Sequence, residues 1–315
     1  LEAFTMTPNL LTGWTDRHSA LFGNHTIKLG HRLLETGLFS EDAIATLIDD
    51  FPEDKYNLNS MGADPLNREW REGNVAGNSG HQVIEAITKG RMWINLRRVM
   101  EVDARYAALL DEIFAEFESL VPGLSTFKHN LGILVSSPGA QVYYHADIPG
   151  QALWQIAGRK RVYIYPNTAP FLQPESIENI VMGTQEEEIP YETWFDAHAE
   201  IHDLKPGDML HWGLNGPHRV VNEDCLNISV TTEHWSKHIR NTYAVNYANG
   251  ILRNHLGYTP RCREASGLTV YPKAALTLAW KKLKLNQASE FVRKIDFHID
   301  PAQPNGMQDV AAYVK

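Results

Sequence analysis

Cysteine is nearly absent: Cys225 and Cys262 are the only two in a chain of 315 residues. That excludes a disulfide framework and a cysteine-built metal site, and it fits a reducing cytoplasm. Long apolar runs are missing too. None approaches the roughly 20 residues a spanning helix needs, and the first residues lack the charged-then-apolar order of a secretory leader. A membrane partner is therefore not expected. Nor is there a strong positive balance, since the net charge is −9. Residues 1–236 hold 17 Lys and Arg against 33 Asp and Glu, whereas 237–294 hold 11 against 2. An acidic body argues against a chain built wholly around nucleic acid. Only the basic segment 237–294 stays open as a patch for an anionic partner.

What is present is ordinary globular material, 43% hydrophobic and 21% charged, without internal repeats or low-complexity linkers. Ser40, followed by Glu41 and Asp42, predicts a helix start, with Ile44, Leu47 and Ile48 on its apolar side. Ser79 and Gln82 form a capping-box signature ahead of Val83, Ile84 and Ile87. The clearest helix is 104–120, where Tyr106, Leu109, Leu110, Ile113, Phe114, Phe117 and Leu120 repeat at helical steps. Residues 53–78 show no sustained period and read as a long loop. After Trp235 helical signals return. One helix carries Val245, Ala248, Leu252 and His255 on one face. A second, near 272–285, turns Leu276, Ala279, Trp280 and Leu283 inward, with a solvated face through Lys273 and Lys281.

Between these helical flanks lie eight short β-type runs with Pro and Gly punctuation: 131–135, 141–147, 152–156, 161–165, 200–204, 208–211, 218–221 and 226–233. The expected fold is mainly β with flanking helices around a jelly-roll core. Three segments are expected: 1–126, an N-terminal helical or irregular region packing on the core; 127–236, the jelly roll; and 237–315, a basic C-terminal helical region. Within the core, 171–199 reads as an insertion whose residues 185–188 form a solvated turn.

Chemistry concentrates in two stretches. His145 and Asp147 stand two apart, so on a strand they leave by one face. A tight turn, Asn215, Gly216 and Pro217, delivers His218 to the start of a later strand. Two imidazoles and one carboxylate fill one face of an octahedral ion and leave the other open, which suits Fe(II) with O2 and a chelating co-substrate. Lys160 offers a positive charge one strand away, as a dianionic chelator would require.

The residues His145, Asp147, Gln151, Gln155, Ile156, Gly158 and Lys160 stand in the order H-x-D, a polar residue four on, then Q-I-x-G-x-K. Gly207 and Asp208, Pro217 and His218, and Trp235 follow as a later set. Together, 141–166 and 200–235 resemble the JmjC-type, cupin-like Fe(II)- and 2-oxoglutarate-dependent oxygenases, in the branch that contains the asparaginyl hydroxylase of hypoxia-inducible factor. The resemblance implies a double-stranded β-helix in which His145, Asp147 and His218 hold iron. It implies that Lys160 pairs with the distal carboxylate of 2-oxoglutarate and that Gln151 lies near the proximal one. It also implies a homodimer through the C-terminal helices. Two positions depart from the pattern: Glu233 replaces a cofactor-binding amide, and Val142 replaces a hydroxyl. Tyr144, Asn227, Ser229 and Thr231 are therefore expected to complete the cofactor pocket. The expected activity is hydroxylation of a C–H bond, on a protein side chain or a small molecule, with release of succinate and CO2. A metal-dependent cupin enzyme without 2-oxoglutarate and a non-catalytic binding protein are the alternatives.

Overall fold

The computed structural model describes residues 9–285 and 292–314. In chain order it contains β1 (Leu11–Thr12), α1 (Asp16–Leu21), β2 (Ile27–His31), α2 (Glu41–Asp49), β3 (Tyr56–Met61), β4 (Trp70–Asn74), α3 (Gly80–Lys89), β5 (Met92–Leu96) and α4 (Ala104–Leu120). Next come β6 (Thr126–Ser136), β7 (Gln141–His145), β8 (Gly150–Ala157), β9 (Lys160–Ile164), α5 (Pro174–Met182), β10 (Glu200–Leu204), β11 (Asp208–His211), β12 (His218–Asn222) and β13 (Asn227–Ser236). The chain ends in α6 (Lys237–Leu256), α7 (Val270–Lys282), β14 (Lys294–Ile299) and β15 (Met307–Val314).

All eight expected core strands form, but β7 stops at His145, short of the expected 141–147, so Asp147 lies in the loop that follows and not on the strand. β11-β8-β13-β6 are neighbours within a larger sheet, and β10-β9-β12-β7 make a second sheet. That four-plus-four arrangement is the double-stranded β-helix. Alternation along the strands sorts the side chains. Leu153, Val162, Ile164, Leu210 and Val220 pack together between the layers. Trp154, Ile156, Ile228 and Val230 instead join the cluster that holds the buried stripe of α4. The caps form as their chemistry requires: Ser40 accepts from Ala43 N–H, Asp103 from Arg105 N–H, and Ser79 with Gln82 closes a capping box.

Four expectations need correction. The loop at 53–78 contains β3 and β4, and the N-terminal region contributes five strands to the eleven-stranded sheet. β3 does alternate, with Tyr56 and Leu58 buried in the core, but Asn57 and Asn59 occupy its other face and line a cavity. A polar inward face hides such a strand from a search for apolar periodicity. Likewise, the C-terminal region is not wholly helical, because β14 pairs in parallel with β4 and carries β15 beyond it. In α7 the inward residues are Val270 and Thr277, with Leu276 and Trp280 half-buried, whereas Leu283 is exposed. Lys281 is not simply solvated, since its ammonium lies over Tyr243 and Tyr247 of α6 at 4.5 and 4.8 Å.

Candidate metal centre and cofactor pocket

Strand pairing brings the two imidazoles together. His145 is the last residue of β7, His218 the first of β12, and the ladder places them opposite each other. Their ring centroids are 4.0 Å apart. Asp147 follows two residues after His145, with its carboxylate oxygens 3.9 Å from His145 Nε2 and 3.4 Å from His218 Nε2. One ligand atom from each lies within 4.8 Å of the others. Each ring is oriented from behind: His145 Nδ1 meets the Tyr143 carbonyl at 2.7 Å and His218 Nδ1 the Gly216 carbonyl at 3.1 Å. A carbonyl only accepts, so both Nδ1 atoms carry hydrogen and both Nε2 lone pairs are left for the centre. Burial holds the His218 imidazole far below its ordinary pKa, which keeps it neutral. Burial also raises the Asp147 carboxyl; the nearby His145 opposes that rise and Glu233 adds to it. A divalent cation would reverse the penalty on Asp147. The donor set, neutral imidazole twice and carboxylate once, fits a first-row divalent ion with one face open.

A cavity of about 830 Å³ opens over this centre. Lys160, first residue of β9, reaches it with only 1% of its surface exposed. Its neighbour Arg161 faces outward and pairs with Asp203 at 2.6 Å. Among the described residues no carboxylate lies in ion-pair range of the Lys160 ammonium, and burial pushes its pKa down to about 7. A buried, unpaired ammonium beside a cavity offers a counter-charge to a bound anion.

The other expected cofactor residues divide. Gln151 and Thr231 line the cavity, as does Val142. Tyr144 does not. It alternates with Tyr143 and His145 along β7, so its ring packs among Tyr165, Phe171 and Phe195, and its hydroxyl donates to the Phe171 carbonyl at 2.9 Å. Asn227 and Ser229 face the barrel interior, but both are taken up by Gln155. The Gln155 amide donates to Asn227 Oδ1, and the Ser229 hydroxyl donates to Gln155 Oε1, each at 2.8 Å. Neither lines the cavity. Glu233 does, and Asn130 Nδ2 donates to its carboxylate at 3.0 Å.

Sequence reasoning missed the outer half of the cavity. Asn59, Trp70 and Trp93 come from β3, β4 and β5, and their Oδ1, Nε1 and Nε1 atoms are buried without a partner among the described residues. The supposed solvated turn at 185–188 is the other rim. Glu188 bridges to His145, Ala146 N–H donates to the Glu187 carbonyl at 3.1 Å, and Glu186 and Glu187 face the opening. Burial of the carboxyl, with crowding by Asp147 and Glu233 added to it, pushes Glu187 upward in pKa; the residue as a whole is exposed, so solvent screens the effect. A run of three glutamates carries no sequence signal that separates a cavity rim from a surface turn.

No protein-family model matches the sequence, and no curated protein matches it. Solved structures do resemble it. The X-ray structure of E. coli YcfD is 17% identical with a TM-score of 0.50, over 87% of this chain and 68% of that one. A structure described as E. coli ribosomal oxygenase YcfD is 18% identical, with a TM-score of 0.47, over 89% of this chain and 68% of that one. Another, described as a complex of YcfD with cobalt and 2-oxoglutarate, is 18% identical with a TM-score of 0.47, over 91% and 74% of the two chains. At 17% identity the likeness to the first of these is one of fold, and it agrees with the jelly-roll core.

Proposed function

We propose that the chain is an Fe(II)- and 2-oxoglutarate-dependent oxygenase that hydroxylates a C–H bond of a protein side chain or small molecule. One observation carries this reading. The triad of His145, Asp147 and His218 shares its cavity with the unpaired, buried ammonium of Lys160. When bound, iron and 2-oxoglutarate would supply the activation of O2, with release of succinate and CO2 and transfer of one oxygen atom to the substrate. His145, Asp147 and His218 would hold the metal, and the carbonyls of Tyr143 and Gly216 keep the two imidazoles aimed. Lys160 would pair with the far carboxylate of 2-oxoglutarate, while Gln151 and Thr231 offer polar contacts on the neighbouring wall. Leu153, Val142 and Trp212 keep that end of the cavity apolar and limit water. The unpartnered atoms of Asn59, Trp70 and Trp93 form the wall against which polar groups of a substrate would lie.

The test is succinate formation from 2-oxoglutarate in the presence and absence of Fe(II), for the wild type and for His145→Ala. Iron-dependent turnover that the variant loses is expected. Absence of turnover, together with unchanged metal uptake in His145→Ala, would discard the reading. The homodimer would form through the C-terminal helices, where Tyr271, Leu278 and Leu283 are 72%, 69% and 67% exposed. Sedimentation at micromolar concentration checks it, and a monomer there counts against it.

A further inference from the structure

We infer that Asn215 is a positioning residue for the metal centre, tying the loop that carries Asp147 to the turn that delivers His218. The inference rests on the metal-centre reading above. Asp147 lies beyond the end of β7 and before β8 begins at Gly150, so no strand ladder fixes it. The Asn215 side-chain amide supplies a hold instead. Its Nδ2 donates to the Asp147 carbonyl at 2.7 Å and approaches the Ile148 carbonyl at 3.5 Å.

The turn on the other side is rigid on its own account. Gly216 N–H closes it onto the Gly213 carbonyl at 2.9 Å, and Leu214 N–H donates to the Gly23 carbonyl at 3.1 Å. Gly213 sits so close to the loop after α1 that a Cβ there would meet Asn24 O at 2.7 Å. The same turn orients the third ligand, because the Gly216 carbonyl holds His218 Nδ1. Asn215 thus links a fixed support for one ligand to an otherwise unladdered support for another.

The residue type follows from two demands that meet at one position. The backbone φ is +56°, a left-handed conformation that favours Gly, Asn and Asp. The two facing groups are carbonyls, which accept only a donor. Glycine meets the first demand without the second, and aspartate would turn a carboxylate toward two carbonyl oxygens. Asparagine alone meets both. Partners that orient metal ligands from outside typically change metal affinity about 10- to 100-fold when lost.

The experiment compares the wild type, Asn215→Gly and Asn215→Asp by titration with Co(II) under anaerobic conditions. It follows the visible spectrum of the bound ion and the fluorescence of Trp212, whose ring lies 4.5 Å from that of His218. Thermal melting of each metal-free protein is read alongside. Asn215→Gly should melt near the wild type, bind Co(II) about 10- to 100-fold more weakly and show an altered spectrum. Asn215→Asp, which keeps the backbone preference, should bind at least as weakly. Co(II) binding by Asn215→Gly within threefold of wild type, with an unchanged spectrum, overturns the inference, whatever its melting temperature. A wild type that takes up no Co(II) sinks the metal-centre reading itself, and this inference with it.

Discussion

Replacing Lys160 with Met should make the metal- and ligand-free protein more stable while destroying its affinity for 2-oxoglutarate. The ammonium is buried and its pKa falls from the ordinary 10.5 to about 7 because burial penalises the charged form. That fall corresponds to about 5 kcal/mol at about 1.4 kcal/mol per tenfold change. Water in the open cavity lowers the realised penalty, and apolar replacement of buried charges typically stabilises by about 1–4 kcal/mol. A melting-temperature rise of roughly 1.5–6 °C follows for a chain of this size. Its pH dependence has a definite sign. Between pH 7 and 10.5 the unfolded chain holds a proton that the folded one does not, so wild-type stability from this residue rises with pH across that window. The gap between variant and wild type is therefore widest below pH 7 and closes by about 10.5. Affinity moves the opposite way. Truncating one member of a desolvated charge pair costs about 2–5 kcal/mol, or roughly 30- to 5,000-fold in Kd. Calorimetric titration of 2-oxoglutarate with Mn(II) in place of iron, paired with melting curves from pH 6 to 10, reads both halves. A variant that melts below wild type at pH 7, or binds 2-oxoglutarate within fivefold of it, would refute the argument.

Because an anion beside Lys160 restores its proton, 2-oxoglutarate binding at pH 8 should take up protons; titration heats must then vary with the buffer's ionisation enthalpy, and identical heats in phosphate and Tris would contradict this. Tyr144→Phe should remove one hydroxyl bond worth about 0.5–1.5 kcal/mol of stability and leave the KM for 2-oxoglutarate unchanged; a threefold rise in KM would return Tyr144 to the pocket. Burial lowers His31 to about 4, His211 to about 4 and His234 to about 3. The unfolded chain takes up those protons first as pH drops below 6.5, so stability should fall between pH 6.5 and 4; urea midpoints that stay flat over this range would show the three rings are not buried neutral.

The inner half of the pocket is legible in the sequence because His145, Lys160 and His218 each stand at the end of a strand beside a turn, with Asp147 two residues past β7. The two-residue spacing keeps Asp147 beside His145 although β7 ends at His145, and period two within β7 puts the Tyr144 ring on the opposite face, where the structure has it. Asn227 and Ser229, expected in the cofactor pocket, are bonded to Gln155 instead. Gln155 sits on the adjacent strand β8, and no one-dimensional pattern says that its amide satisfies both. The outer half stayed hidden for a different reason. β3 and β4 turn Asn, Trp and Glu toward the cavity, so they lack the apolar stripe by which strands are recognised. The rim at 186–188 is held by backbone bonds to β7, which leave no trace in side-chain composition.

The sheet that carries β8 and β13 runs on without a break through β5, β3 and β4 to a hairpin made by the last described residues. Arg293, from that hairpin, reaches back across the seam to Glu72 at 3.1 Å. Cutting the protein down to its jelly roll would therefore strip the far wall of the chamber and bare the edge of β6, and at the triad end it would bare the edge of β11 and remove Gly23 and Asn24, against which the turn before His218 rests. β3 to β5 and the β14–β15 hairpin are in effect one jaw of a vice, and the jelly roll is the other. Changes in what the protein grips can accumulate in those strips of sheet while the chemistry at the other end stands still.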